Sequence, residues 1–287
     1  MKIMIIGADG QLGTELCKVI PEEELIPLTI KEIDITDRSW TRDIVRKHRP
    51  DHLINTAAYN QVDQAENDPT AAFQINALGV KNLADACREI DAVMVHYSTD
   101  YVFDGKKGEN DTPYTEKDSP DPRSIYGISK LAGEMILRAR SPRHFLIRTA
   151  GLFGPAGCMS KGGGNFIENI LKLAKASKEI KVVNDEEVSP TSAVDLARKT
   201  HQLILTKNYG LYHIVNHGKC SWYEFALKIL EITGDKVRVI PVSTSDPEPG
   251  KAPRPRYSVL ANSRLAELGM DDMPSWKEAL QAYLLAR

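Results

Sequence analysis

An apolar run that stops at a glycine near the start of the chain limits the fold more than any other feature. Lys2-Ile-Met-Ile-Ile-Gly7 is followed by Ala-Asp-Gly10-Gln-Leu-Gly13 and then by a helix-like stretch through Ile20. That order reads as strand, tight glycine turn and helix, the opening of a βαβ unit. Gly7 permits the turn, Gly10 lets the backbone approach a pyrophosphate, and Gly13 lets helix pack on strand. The helix N-terminus adds N–H donors and partial positive charge. The spacing is G-x-x-G-x-x-G, not G-x-G-x-x-G, so its place between strand and helix carries the dinucleotide reading more than the pattern does.

The rest of the chain keeps alternating. Strands are expected at residues 25–30, 51–58, 92–100, 145–151, 180–183, 211–215 and 237–241. Helices are expected at 69–90, 126–140, 165–178 and 221–230, with another starting at Pro190-Thr-Ser-Ala-Val-Asp195. Such alternation predicts an α/β fold: a Rossmann-type doubly wound parallel sheet with right-handed crossovers and helices on both faces. The expected division places residues 1–150 and parts of 185–220 in the dinucleotide-binding domain. Residues 151–185 and 221–287 form a smaller C-terminal α/β lobe for substrate.

The formal net charge is −2, and Lys and Arg are scattered, which argues against nucleic acid as a partner. No run of 18 apolar residues occurs, and the first apolar run is too short for a signal peptide, so a cytoplasmic protein away from membranes is expected. Cys17, Cys87, Cys158 and Cys220 are far apart. Cys17 and Cys87 fall on predicted helices and read as core. With the His residues dispersed too, and His213 and His217 read as structural, no metal site is expected.

Chemistry is carried by a few positions. Tyr126 and Lys130 open a helix and lie four apart, so an ammonium can sit beside a phenol, favour the phenolate and fit Tyr126 for general acid work. Alone, the pair reads more readily as a surface helix that happens to carry Tyr and Lys. Ser98-Thr99-Asp100 ends a strand where open α/β sheets bind ligands, so Thr99 can donate to a substrate oxygen and Asp100 can take a hydroxyl. The same tripeptide is also a turn signal. Ala57 and Ala58 leave room for a cofactor, while Asp63 and Glu66 read as charges on the following helix. At the end of the second strand stand Thr29 and Lys31, without a carboxylate, which favours NADP over NAD. Asp34 is placed to meet the adenine amine, with Ile35 against the ring. Asn76, inside a predicted helix, either faces water or bends the helix around a relay water. Lys251, Arg254 and Arg256 are either a diphosphate grip or solvated charges.

Together, the glycine turn, Ser98-Thr99-Asp100 and Tyr126-x-x-x-Lys130 resemble an extended short-chain dehydrogenase/reductase. The resemblance narrows with Asn76-Ala-Leu-Gly-Val-Lys-Asn-Leu-Ala84, Ser98-Thr-Asp-Tyr-Val-Phe-Asp-Gly105, Tyr126-Gly-Ile-Ser-Lys-Leu-Ala-Gly-Glu134, Ser189-Pro-Thr191, Ser221-Trp-Tyr-Glu-Phe-Ala226 and Arg254-Pro-Arg-Tyr-Ser258. These are similar to the dTDP-4-dehydrorhamnose reductase family, nearly end to end. The resemblance implies reduction of a C4 ketone on a dTDP-linked sugar by NADPH, with NADH as a second candidate. It also implies Tyr126 as proton donor, Lys130 on the nicotinamide ribose, and Thr99, Asp100 and Arg254 toward the sugar nucleotide. Gly7, Gly10, Gln11, Leu12, Gly13, Asp34, Ile35, Ala57, Ala58, Tyr59, Asn60 and Asn76 would line or support the cofactor. A homodimer is compatible with the sequence, which does not fix the oligomeric state.

Three positions depart from the family pattern. Gly151 stands where a Trp over the sugar is common, a gap that the 155–164 loop is expected to fill. Glu187-Val188 stands where a glycine is common before Ser-Pro-Thr, and Thr29 replaces an acid that some members have. Two other classes share the scaffold. A 4,6-dehydratase would follow the Thr with Asp-Glu, whereas Asp100 is followed by Tyr101; epimerases share Tyr126 and Lys130. A non-catalytic NADP-binding subunit would be expected to lose the catalytic pair, which is intact here.

Overall fold

The computed structural model describes residues 1–107, 111–157, 164–244 and 251–287. Cys158, most of the glycine-rich loop expected to cover Gly151, and residues 245–250 lie outside the described residues.

The first half alternates as its periodicity predicts. β1 (Ile3–Ile6) leads into α1 (Gln11–Val19), β2 (Leu25–Leu28), α2 (Arg38–His48) and β3 (His52–Asn55). α3 (Val62–Asn67), α4 (Pro69–Phe73) and α5 (Val80–Ile90) come next, then β4 (Val93–Thr99), α6 (Ile125–Arg140) and β5 (His144–Thr149). The second half is more broken. β6 (Leu152–Phe153), α7 (Phe166–Ala176), β7 (Glu179–Val183), β8 (Glu187–Val188) and β9 (Thr191–Ser192) precede α8 (Ala193–Ile204) and β10 (Gly210–His213). The chain closes with β11 (Cys220–Ser221), α9 (Trp222–Thr233), β12 (Arg238–Val242), α10 (Ser263–Glu267) and α11 (Trp276–Leu285).

Six strands form one parallel sheet in the order β2-β1-β3-β4-β5-β10. All four residues of β1 and all seven of β4 are buried, as strands covered by helices on both faces must be. The chain leaves β1 toward β2 and returns on the other side to β3, so a crevice opens at the carboxyl ends of β1 and β3. On one face Ile3, Ile5, Val95 and Ile147 pack with Leu16, Leu196 and Leu203. On the other, Met4, Leu53 and Met94 meet Val80, Leu83 and Leu137.

β2 ends two residues early because the Glu32 carboxylate accepts from the Thr29 amide and hydroxyl (2.8 and 2.6 Å), folding the chain away from the sheet. A carboxylate therefore does stand beside Thr29, three residues further along than the strand end suggested. Pro27, which lacks an N–H, sits on this edge strand, where none is needed. The single helix expected over 69–90 is interrupted by a π-helical turn at Gln74–Gly79.

Strand 180–183 does not join the main sheet. As β7 it pairs in parallel with β12, and α7 and α9 cover this ribbon through Ile167, Ile170, Phe225 and Ile229. Ser221 and Glu224 form a reciprocal capping box that starts α9. The C-terminal segment reaches back: Leu265 and Met273 pack with Ile3 and Tyr212 in the main core. There the Arg264 guanidinium donates to the carbonyls of Tyr209 and Leu211 (2.6 and 3.1 Å) and lies over the Tyr212 ring, along the free side of β10. Among the described residues no helix is long and apolar enough to cross a membrane.

Candidate active site

A cavity of about 1210 Å³ opens at the carboxyl ends of the strands. Its floor is the glycine turn. Gly7 has φ +79°, and its amide and that of Ala8 both donate to Leu28 O (2.9 and 3.1 Å), which ties the turn to β2. A β-carbon on Gly13 would lie 2.1 Å from Gly7 O, so only glycine lets α1 come this close. Gly10 caps α1 without a side-chain hydrogen bond, leaving the first helical amides for a ligand. The buried Gln11 Oε1 has no partner among the described residues. This cradle of free helical amides fits a dinucleotide diphosphate.

The expected residues are largely brought together. Gly7, Gly10, Gln11, Leu12, Asp34, Ile35, Ala57, Ala58, Asn60, Thr99, Asp100, Tyr126, Lys130 and Arg254 all line the cavity. Gly13, Tyr59 and Asn76 stand behind this lining. Gly13 is covered by the turn itself, and Tyr59 is held through its backbone by Asn76. Asn76 is 1% exposed, which overturns the water-facing reading. Its side chain accepts from Tyr59 N (2.9 Å) and donates to Tyr59 O (3.1 Å) and Ser129 Oγ (3.0 Å). With both donors engaged, this amide acts as a brace between the cofactor strand's loop and α6. Asp34 holds its own turn, accepting from the amide and hydroxyl of Thr36 (2.9 and 2.8 Å), while Asp37 caps α2.

α6 is set from its first turn. Ser124 Oγ accepts from Gly127 N (3.1 Å) and Glu66 Oε1 accepts from Ile125 N (2.8 Å). Glu66 therefore serves this helix, not its own. Tyr126 is packed against Ala65 and Ala72, with the Tyr101 ring edge-on at 5.7 Å. One turn on, Lys130 is buried and donates through Nζ to Tyr97 O (2.6 Å). Burial brings its pKa down to about 8, and the Glu134 carboxylate one turn further opposes that fall. Glu134 is itself locked to Arg148 of β5 by two hydrogen bonds (2.9 and 2.6 Å).

Thr99 and Asp100 stand at the carboxyl end of β4 and line the cavity. Thr99 Oγ1 donates to Asp100 Oδ1 (2.9 Å) and accepts from Tyr101 N (3.2 Å). Burial pushes the Asp100 carboxyl up to about 6, against the Ser258 and Thr99 hydroxyls, which favour the ionised form. Arg254 donates through one Nη to both oxygens of Asp63 (3.0 Å each), and Ala252 N adds a third bond (3.1 Å). Burial raises the Asp63 pKa, but the Arg254 and Ala252 donors outweigh it and leave the carboxyl below its ordinary value. Asp63, read as a helix charge, is thus the anchor that holds the 251–256 segment on the cavity. Glu186 and Trp222 also line the cavity and were not marked by any motif chemistry. Among the described residues no cluster of three or more His, Cys, Asp and Glu could hold a metal.

A glycine turn under a parallel sheet's crevice, with Tyr126 and Lys130 presented by one helix beside Thr99, defines an extended short-chain dehydrogenase/reductase. Residues 1–286 match the family model described as RmlD substrate binding domain, and the chain belongs to that family, the family of the dTDP-4-dehydrorhamnose reductases. It is 40% identical over 288 residues to the spore coat polysaccharide biosynthesis protein SpsK of Bacillus subtilis, covering 100% of this chain and 98% of that protein. The structure of a dTDP-4-dehydrorhamnose reductase from Clostridium acetobutylicum superposes with a TM-score of 0.93 at 42% identity, over 100% of this chain and 99% of the other. The Bacillus anthracis dTDP-4-dehydrorhamnose reductase in complex with NADP also gives a TM-score of 0.93, at 41% identity and full coverage of both chains.

Proposed function

We propose that the chain reduces the C4 ketone of dTDP-4-dehydro-L-rhamnose to the alcohol of dTDP-L-rhamnose with NADPH, and that NADH can replace it. The observation that carries this reading is the shared cavity: one wall offers the diphosphate cradle of Gly7 to Leu12, another Tyr126, Lys130 and Thr99. Bound NADPH supplies the hydride for C4. Tyr126 gives its phenolic proton to the C4 oxygen as negative charge develops there, an interaction that strengthens only toward the transition state. Lys130, fixed on Tyr97 O, holds positive charge one helical turn from that phenol. On substrate binding the Thr99 hydroxyl, which donates to Asp100 in the free protein, turns its proton to the same sugar oxygen. Arg254, already neutralised in part by Asp63, keeps a remaining face for the substrate diphosphate.

Cys17, Cys87 and Cys220 are free thiols, which suits a reducing cytoplasm. A homodimer is compatible with this reading and is checked by sedimentation at micromolar concentration. The deciding test of function is NADPH oxidation with dTDP-4-dehydro-L-rhamnose as substrate. Turnover by the intact protein that collapses in Tyr126→Phe supports the reductase. Tight NADPH binding without turnover overturns it.

A further inference from the structure

The wall that faces the sugar cannot take its aromatic surface from residue 151. Gly151 has φ +53°, and a β-carbon there would lie 3.1 Å from Pro190 Cα and 3.3 Å from Val188 Cγ2. A side chain on residue 151 would thus leave the backbone against the Val188 methyl and Pro190. Gly151 therefore brings no aromatic surface to the cavity.

On this side of the cavity Trp222, with Phe166 behind it, supplies aromatic surface. The indole lines the cavity, is half-buried, and touches both the cluster that contains Val188 and Ala150 and the cluster that contains Phe153 and Phe225. Phe166 backs the ring at 4.6 Å between centroids, tilted by 40°. Phe153 and Phe225, the neighbouring cavity rings, are 1% and 0% exposed and offer no free face. The indole is also directed. Burial raises the Glu186 pKa, and hydrogen bonds from Thr244 and from the Trp222 side chain oppose that rise; the single Thr244 hydroxyl proton is shared between Glu186 Oε1 (2.9 Å) and Asp185 Oδ1 (2.8 Å). A carboxylate fixed from two sides fixes the ring plane in turn.

Building on the function proposed above, we propose that Trp222, oriented by Glu186, is the platform on which the hexose ring of the nucleotide sugar lies. The C–H face of a pyranose packs on the π-face of an indole, whereas the nucleotide alone has no such face to offer at this point. Trp222 is a specificity-determining residue and Glu186 a positioning residue. Neither takes or gives a proton in the reduction.

The test compares dTDP-L-rhamnose with dTDP in calorimetric titrations of the NADP-loaded protein. In the Trp222→Leu variant the affinity for dTDP-L-rhamnose falls about tenfold and that for dTDP is unchanged. Trp222→Phe recovers most of the loss, and Glu186→Gln, whose amide oxygen still accepts, loses less than Trp222→Leu. Indole fluorescence gives a second readout on a mild variant: dTDP-L-rhamnose quenches the intact protein, dTDP does not, and the quench disappears in Trp222→Phe. Equal losses for both ligands, or unchanged affinity for the sugar in Trp222→Leu, overturn the proposal. These outcomes are independent of turnover, so an intact protein that oxidises NADPH with the ketosugar keeps its function even if Trp222 fails.

Discussion

The main-chain carbonyl of Asn76 lies only 2.2 Å from where a β-carbon on Gly133 would stand. The π-helical turn and the helix that carries Tyr126 and Lys130 are thus in backbone contact, and the Asn76 amide bonds Ser129 of the same helix. Gly133→Ala must push the two apart. Overpacking of this kind costs about 1–3 kcal/mol, read as a lower urea midpoint. Because the displaced helix carries the proposed proton donor, kcat falls further than stability alone accounts for, while Ala132→Ser, its neighbour, leaves both unchanged.

Tyr126→Phe retains the ring packing against Ala65 and Ala72 and removes the proposed proton donor. General acid catalysis contributes about 10²–10⁴ to the rate, so kcat falls by that factor while the NADPH dissociation constant stays within twofold. A variant that keeps more than a tenth of the activity would assign the proton to another group.

The pH profile has two limbs. Asp100 has its pKa raised by burial to about 6, so below that pH it takes a proton and no longer accepts cleanly from Thr99. Lys130 has its pKa lowered by burial to about 8, so above that pH its charge is lost beside Tyr126. The kcat/KM for NADPH, which reports free-enzyme groups, therefore falls below about 6 and above about 8. Asp100→Asn flattens the acid limb and leaves the alkaline one. For folding, the Lys130 shift acts oppositely. The unfolded chain binds that proton more tightly, so this residue's penalty is full below about 8 and fades as pH rises toward the ordinary lysine range.

Arg148 and Glu134 are 1% exposed each and bonded by two hydrogen bonds. Removing one partner strands a buried charge, and Arg148→Met lowers stability by about 3–5 kcal/mol. Replacing both, with Glu134→Met added, restores most of the midpoint in urea. Since Glu134 also opposes the fall of the Lys130 pKa, the double variant shifts the alkaline limb of the rate profile to lower pH even where its stability is recovered.

Local features were legible in the sequence and long-range pairings were not. The glycine turn, the strand ends at Ser98-Thr99-Asp100 and the Tyr126–Lys130 face follow from two periodicities and from where glycine is tolerated. The π turn at Asn76 was not, because one extra residue in a helical turn scarcely disturbs an apolar pattern. Asp63 and Arg254 lie 191 residues apart, and nothing local to Asp63 distinguishes a helix charge from an anchor. Glu186 reads as one more acid in Asp185-Glu-Glu187 until burial singles it out. The approach of Val188 to Gly151 needs the backbone path that brings Pro190 against residue 151.

The guanidinium of Arg264 along β10 has a meaning beyond the native fold. A parallel sheet that does not close on itself ends in a strand whose spare carbonyls invite another chain, and slow-forming parallel sheets expose such borders for longest. By occupying the Tyr209 and Leu211 carbonyls from within the same molecule, Arg264 withdraws them from that traffic. At the opposite border Pro27 has no amide hydrogen to offer. A sheet finished this way at both margins resists templating copies of itself.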